Sequence, residues 1–346
     1  MRPLTWRRLL LRCAALAGVL LIVMVLALKL GAVQVSLYGL GRDLIHYALH
    51  SSAGLSSEYS LIIFDIRLPR IFLGIFVGAS LAVAGTSFQA LLRNPLADPY
   101  VLGVSSGAAV GAIVAVMIEP HLALTPDAAV LLTPVGAFLG ALITIAGVYL
   151  LGRRDGEIDS TTLLLAGIIT ASFLNALIML LLNWLSGRDH GGMAFWLMGD
   201  LSTPLQNNVH WVIRIGFFVA AGAIYTTAAD LNLLLAGEKE AMHLGVDVPR
   251  VRVVVYVAAS ILTGLAVSVS GSIGYVGLLV PHVMRMIFGS DHRILIPAAA
   301  LGGAIAVVLA DMLARTVAAP SELPVGAMTA LAGAPLFIYL LRRRLA

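Results

Sequence analysis

One cysteine, Cys13, in a chain of 346 residues excludes an intrachain disulfide and a cysteine-built metal cluster. Charge is scarce as well. Only 12% of residues are Asp, Glu, Lys or Arg, against the roughly 25% usual in soluble domains. With 60% hydrophobic residues and a mean hydropathy of +0.98, that shortage excludes a cytosolic globular class. There is no G-x-x-x-x-G-K-[ST] loop to cradle phosphates, and Gly237-Glu238-Lys239 is no substitute. Nucleotide chemistry is therefore assigned outside this chain. There is no H-E-x-x-H either, and His282, after Pro281, has no second ligand at helical spacing. The chain is read as holding no metal and no cofactor. A membrane enzyme would need a convergent acid/base or metal set within its apolar runs, and none is evident.

What is abundant is long apolar sequence. About ten runs approach the length of about 20 residues that crosses a bilayer as a helix. They cover 10–31, 62–91, 98–118, 129–151, 161–183, 208–228, 252–270, 273–288, 293–313 and 325–341. The prediction is an all-α, polytopic membrane protein, a single unit over 1–346. The sequence pI near 9.4 reflects topology, not nucleic acid. Arg2, Arg7, Arg8 and Arg12 precede the first run and Arg342, Arg343 and Arg344 follow the last. Arg153 and Arg154 share one loop, and Lys239, Arg250 and Arg252 another. Such clusters mark cytoplasmic loops, so an even number of spans puts both termini in the cytoplasm. The basic start followed by an apolar stretch from Cys13 to Leu28 has the outline of a signal peptide. Without a convincing cleavage site, it is read as a retained first helix.

The breaks between runs carry the most information. From Gln89 to Gly111 the chain reads QALLRNPLADPYVLGVSSGAAVG. Pro95 and Pro99 bias their preceding residues away from helix and make a rigid polar elbow. Gly103, Gly107 and Gly111 follow at intervals of four, a face on which helix backbones pack closely. Leu81–Gly85, and Leu265–Ser268 leading to Gly271, both precede a Gly/Pro-rich break. This suggests an inverted repeat of spans two to five and seven to ten. The segment 184–207, with Phe195-Trp196-Leu197-Met198, reads as a short helix at the outer interface.

The loop of about 228–252 is the longest polar one on the inner side. Gly237 starts a helix there, Glu238 and Glu240 suit its positive end, and Gly245 ends it. A second short helix is expected around Asp230–Leu235. Arg67, Arg70 and Arg315 sit at outer span ends, where arginines reach the interface, with Asp65 nearby and Asp311 four residues before Arg315. Asp159 or Ser160 is a natural N-cap for the fifth span. Asn175 and Asn183 in that span bond between helices or face a pore.

Four ordered segments also carry a resemblance. They are RNPLADPYVLGVSSGAAVGA; Ile66-Arg67-Leu68-Pro69-Arg70; Gly271 to Leu278 running on to Pro281-His282; and Glu322 to Gly326 running on to Gly333-Ala334-Pro335. Together they resemble the permease subunits of binding-protein-dependent ABC importers for ferric siderophores, haem and vitamin B12. The resemblance implies a homodimer in lipid at the bacterial inner membrane. Two cytoplasmic ATPase subunits would carry ATP and Mg, and a periplasmic binding protein would deliver a large metal chelate. It implies that Leu235, Ala236, Gly237, Glu238, Glu240, Ala241, Leu244 and Gly245 couple to the ATPase. It further implies docking of the binding protein at Arg67, Arg70 and Arg315, and a cytoplasmic gate at Asn94, Leu96, Ser160 and Thr161. The alternative is an ion-gradient-driven transporter, which needs ionisable groups near the midplane; Asp311 and Arg315 are the nearest.

Overall fold

Prolines and glycines at the ends of the apolar runs divide the chain into helices close to those expected. The computed structural model describes residues 6–31, 61–154, 157–185, 187–203 and 207–345. Helix α1 is Trp6–Lys29. A π-turn at Ile62–Arg67 leads into α2, Leu68–Leu91. Pro69, in the first turn of α2, has no N–H to offer the turn before it, and the helix is widened there. A 3₁₀ turn, Pro99–Leu102, precedes α3, Val104–Ile118. Then come α4 (Pro126–Leu151), α5 (Ser160–Leu182), α6 (Gly187–Leu197) and α7 (Asn207–Thr226). The loop expected on the inner side carries α8 (Ala228–Leu234) and α9 (Glu238–His243). The last four are α10 (Val248–Ser270), α11 (Val276–Phe288), α12 (His292–Ala314) and α13 (Val325–Leu345).

Among the described residues, eight helices are long and apolar enough to cross a membrane, and Val276–Phe288 and Val325–Tyr339 are shorter apolar helices. Together they match the ten expected runs. The all-α expectation needs one small amendment. Arg153–Arg154 and Glu157–Ile158 pair as two-residue antiparallel strands. The outer-interface helix is also longer than Phe195–Met198: α6 begins at Gly187, and Met198 lies beyond its end.

Helices α2, α10 and α12 form the centre, 83%, 78% and 67% buried over their most apolar stretches, whereas α1 and α5 are 11% buried. Such exposed apolar faces suit a lipid or protein partner and not water. The packing is reciprocal. α2 lies against α10; α2 against α12 is matched by α10 against α4; and α3 against α4 is matched by α11 against α12. That is the pattern of a pseudo-two-fold between α2–α5 and α10–α13. Bare backbone makes the closest contacts. A Cβ at Gly78 would collide with the Gly303 carbonyl, and one at Gly85 with that of Gly277.

Helix α11 reaches only about 20 Å at 1.5 Å per residue, short of the hydrocarbon core of about 30 Å. Irregular chain at 271–275 precedes it, as irregular chain at 92–103 precedes α3. At membrane depth this is tolerated only where protein covers the backbone. Here the Tyr100 hydroxyl covers it, donating to the Ile273 carbonyl at 3.1 Å and accepting from the Ile273 N–H at 3.0 Å. The two breaks are thereby tied to each other.

Candidate functional site

The elbow after α2 is built from short-range bonds. Asn94 N–H donates to the Gln89 carbonyl at 3.1 Å, and Asn94 Oδ1 accepts from Leu96 N–H at 2.9 Å. Asp98 caps the 3₁₀ turn by accepting from Tyr100 N–H at 2.9 Å. Asn94 is thus occupied within the turn, while Leu96 is exposed. Gly103 lies one residue outside α3, in a left-handed conformation with φ +75°. It meets Gly167 and Ala171 of α5, unlike Gly107 and Gly111, which meet Gly140 and Gly136 of α4. The expected single face of three glycines is therefore two contacts. The elbow rests on α5 two turns beyond Thr161. At the start of α5 the Asp159 carboxylate caps, accepting from the Thr162 N–H and hydroxyl, both at 2.7 Å. Ser160 is the first helical residue and Thr161 is exposed.

The inner loop has a buried and an exposed side. Leu231, Leu234, Ala241 and Val246 face the bundle, with Leu235, Met242 and Leu244 exposed at 49%, 52% and 66%. Ala236 and Gly245 are exposed too. Gly237 has φ +138°, and the Glu240 carboxylate folds over it so that a Cβ would collide. Glu238 pairs inside the chain. Its Oε1 lies 2.9 Å from Arg93 Nη2 in the elbow, and it also pairs with Arg252 near the start of α10. The same loop is held at α8. Asn232 Nδ2 donates to Asp291 Oδ1 at 2.7 Å, and Asn232 Oδ1 accepts from His292 N–H at 2.8 Å. Burial alone would raise the Asp291 carboxyl, but hydrogen bonds from Asn232 and Arg293 outweigh it and hold that group below its ordinary value.

The three arginines expected at the outer face are interior. Arg67, Arg70 and Arg315 are 4%, 8% and 5% exposed. Arg67 Nη1 donates to the Leu28 carbonyl at 2.5 Å, and Arg315 Nη2 to that of Ala27 at 3.3 Å. Both cations therefore cap the negative end of α1. Arg70 lies between Asp311 at 2.7 Å and Glu322 at 2.8 Å, the latter 40% exposed at its side chain.

In α5, Ser172 and Asn175 are exposed at mid-span, and Ser106 Oγ of α3 donates to Asn175 Oδ1 at 2.9 Å. Sequence reasoning singled out Asn175 but missed Arg93, Met242 and Ser172. The placement of Arg93 between a helix end and Asn-Pro is the one local sign of its use.

The sequence profile described as the FecCD transport family matches residues 19–343. The chain is 43% identical over 301 residues to the cobalamin import system permease protein BtuC of Halobacterium salinarum, covering 87% of this chain and 78% of that one. It is 42% identical over 287 residues to the hemin transport system permease protein HmuU of Yersinia pestis, covering 81% and 83%. An inward-facing metal-chelate type ABC transporter superposes with a TM-score of 0.78 at 30% identity, over 96% of this chain and 99% of that one.

Proposed function

The chain belongs to the FecCD transport family, and from that premise we propose that it is the multi-pass permease of an importer for a large metal chelate. Ferric siderophore, haem and cobalamin are the chelates in view. A separate ATPase drives transport and a binding protein delivers the cargo. The observation that carries the reading is the inner loop. Leu235 just after α8, Met242 in α9 and Leu244 just after it stand exposed, which suits insertion into a groove on a soluble partner. Leu235, Ala236, Gly237, Glu240, Leu244 and Gly245 are assigned to ATPase coupling, with Met242 added. Ala241 is the buried foot of that element.

Homodimerisation is supported by α5. Its outer apolar side chains are uncovered, and its exposed Ser172 and Asn175 at mid-span suit a hydrated path between two copies better than hydrocarbon. Asn94, Leu96, Ser160 and Thr161 are assigned to the inner gate at the foot of that path. The basic clusters support cytoplasmic termini. For the binding protein, Arg70 is the docking residue of choice. Its partner Glu322 is half in solvent, and an incoming carboxylate takes that place. Arg67 and Arg315 hold the rim on which this exchange occurs. The gradient-driven alternative loses its carrier, because Asp311 is clamped by two arginines.

Affinity capture tests the reading. The tagged permease is co-expressed with the ATPase from its own genome, and wild type is compared with Met242→Asp/Leu244→Asp. The expected result is a stoichiometric, ATP-hydrolysing subunit with wild type and its loss in the variant. A monodisperse wild type without that subunit overturns the proposal.

A further inference from the structure

We propose that Arg93 and Glu238 form the link through which movement of the inner loop reaches the elbow, an inference that rests on the coupling and gating roles proposed above. Three elements converge on one carboxylate, two of them close in sequence and the third far away. Glu238 opens α9, Arg252 lies in the second turn of α10 with its side chain 11% exposed, and Arg93 follows α2. The Arg252 pair anchors Glu238, because a cation so deeply placed requires its counter-charge. The Arg93 pair is the arm that leaves this anchor and crosses to another part of the fold.

The backbone at Arg93 supports a purpose beyond chance surface pairing. Its φ is +47°, a region that glycine enters freely and a residue with a Cβ enters at a cost. Arginine in that position delivers a guanidinium to Glu238, which glycine would not. Strain of this kind points from geometry to function.

What lies beyond Arg93 is stiff. Asn94 and Asp98 brace the elbow through their own backbone bonds, Pro95 and Pro99 restrict it, and Tyr100 pins it to Ile273. Leu102 abuts Gly167 of α5. A displacement of α9 is therefore handed to the elbow, and by the elbow to α5, instead of dissipating in a loose turn. Three neighbouring charged groups of the loop are otherwise engaged or outward. Glu240 folds over Gly237, Asp247 accepts from Arg250 N–H, and Lys239 is exposed.

Arg93→Gln is the informative variant, since it cuts the arm and leaves the Arg252–Glu238 pair whole. In a Cys13→Ser background, spin labels at Leu96→Cys and Met242→Cys report the elbow-to-loop distance by pulsed EPR. The expected result is a narrow distribution in wild type and Arg93→Lys, and a broadened one in Arg93→Gln. In proteoliposomes with the co-expressed ATPase, unlabelled Arg93→Gln keeps its ATPase. It loses uptake per ATP hydrolysed by roughly 2- to 30-fold, the range for changes along a coupling route, and Arg93→Lys retains most of it. Equal distance widths together with equal uptake per ATP in wild type and Arg93→Gln overturn the link. Absence of a bound ATPase in every variant, wild type included, overturns the permease reading instead. The EPR widths then still decide whether the arm holds the elbow to the loop.

Discussion

Asp311 serves two arginines with its two oxygens: Oδ1 accepts from Arg70 Nε at 2.7 Å and Oδ2 from Arg315 Nε at 3.0 Å. The carboxylate is 1% exposed as a residue, so the triad lies almost wholly out of water. Removing one member of a buried ion cluster costs more than the cluster itself contributes, because uncompensated charge is left behind.

Asp311→Asn is therefore expected to destabilise by about 3–5 kcal/mol. Thermal unfolding of the detergent-purified protein measures it. Glu322→Gln, at the half-exposed end of the same cluster, is expected to cost at most about 1 kcal/mol. A similar loss for both variants would count against burial of the triad as the reason Asp311 matters.

The α3–α4 contact makes a second contrast. A Cβ at Gly111 would collide with the Gly136 carbonyl, while one at Gly147 meets nothing within 4 Å. Gly111→Val is expected to cost about 1–3 kcal/mol or more through overpacking. Gly147→Ala is expected to be neutral or to gain up to about 1 kcal/mol from helix propensity. Unfolding midpoints of the two variants, read side by side, check this.

At Arg93 stability and activity should part company. Arg93→Gly relieves a left-handed residue at φ +47°, a gain of about 1–2 kcal/mol. It forgoes a half-exposed ion pair worth about 0–1 kcal/mol. The unfolding midpoint is expected to hold or rise while ATP-driven uptake falls. A variant that is both less stable and fully active contradicts the assignment.

Acid should release α8 from α12. The Asp291 carboxyl is held below its ordinary value in the folded chain. Its contribution is thus fully present above the ordinary value of 3.8 and is lost as pH falls through the lower, folded value. The stability gap between wild type and Asp291→Asn is expected to be full at neutral pH and to close only below about pH 4. Denaturant titrations at a series of pH values measure it, and a gap independent of pH excludes the carboxylate as its origin.

The sequence disclosed spans and breaks well, because hydropathy and proline act locally. Gly237 and Gly245 likewise framed α9 from within a few residues. What stayed hidden depends on partners far along the chain. Nothing near Glu238 announces Arg93, and nothing near Gly78 announces Gly303. The arginines at 67, 70 and 315 read as interfacial anchors because each was weighed on its own helix. Their burial comes from α1, α2, α12 and Glu322 meeting in one place. Gly103 was misplaced by a single residue, enough to turn it from the α4 contact to α5.

Helix α1 meets the bundle on one face only, from Arg12, which donates to the Phe288 carbonyl at 3.2 Å, to its last carbonyls, which are gripped by Arg67 and Arg315. A smooth apolar cylinder against apolar neighbours has no preferred height and could slide. Charged donors at both ends remove that freedom, since a shift by a single turn of about 5.4 Å would pull all three from their acceptors. The grips make α1 a depth gauge, fixing its height against the start of α2 and the end of α12.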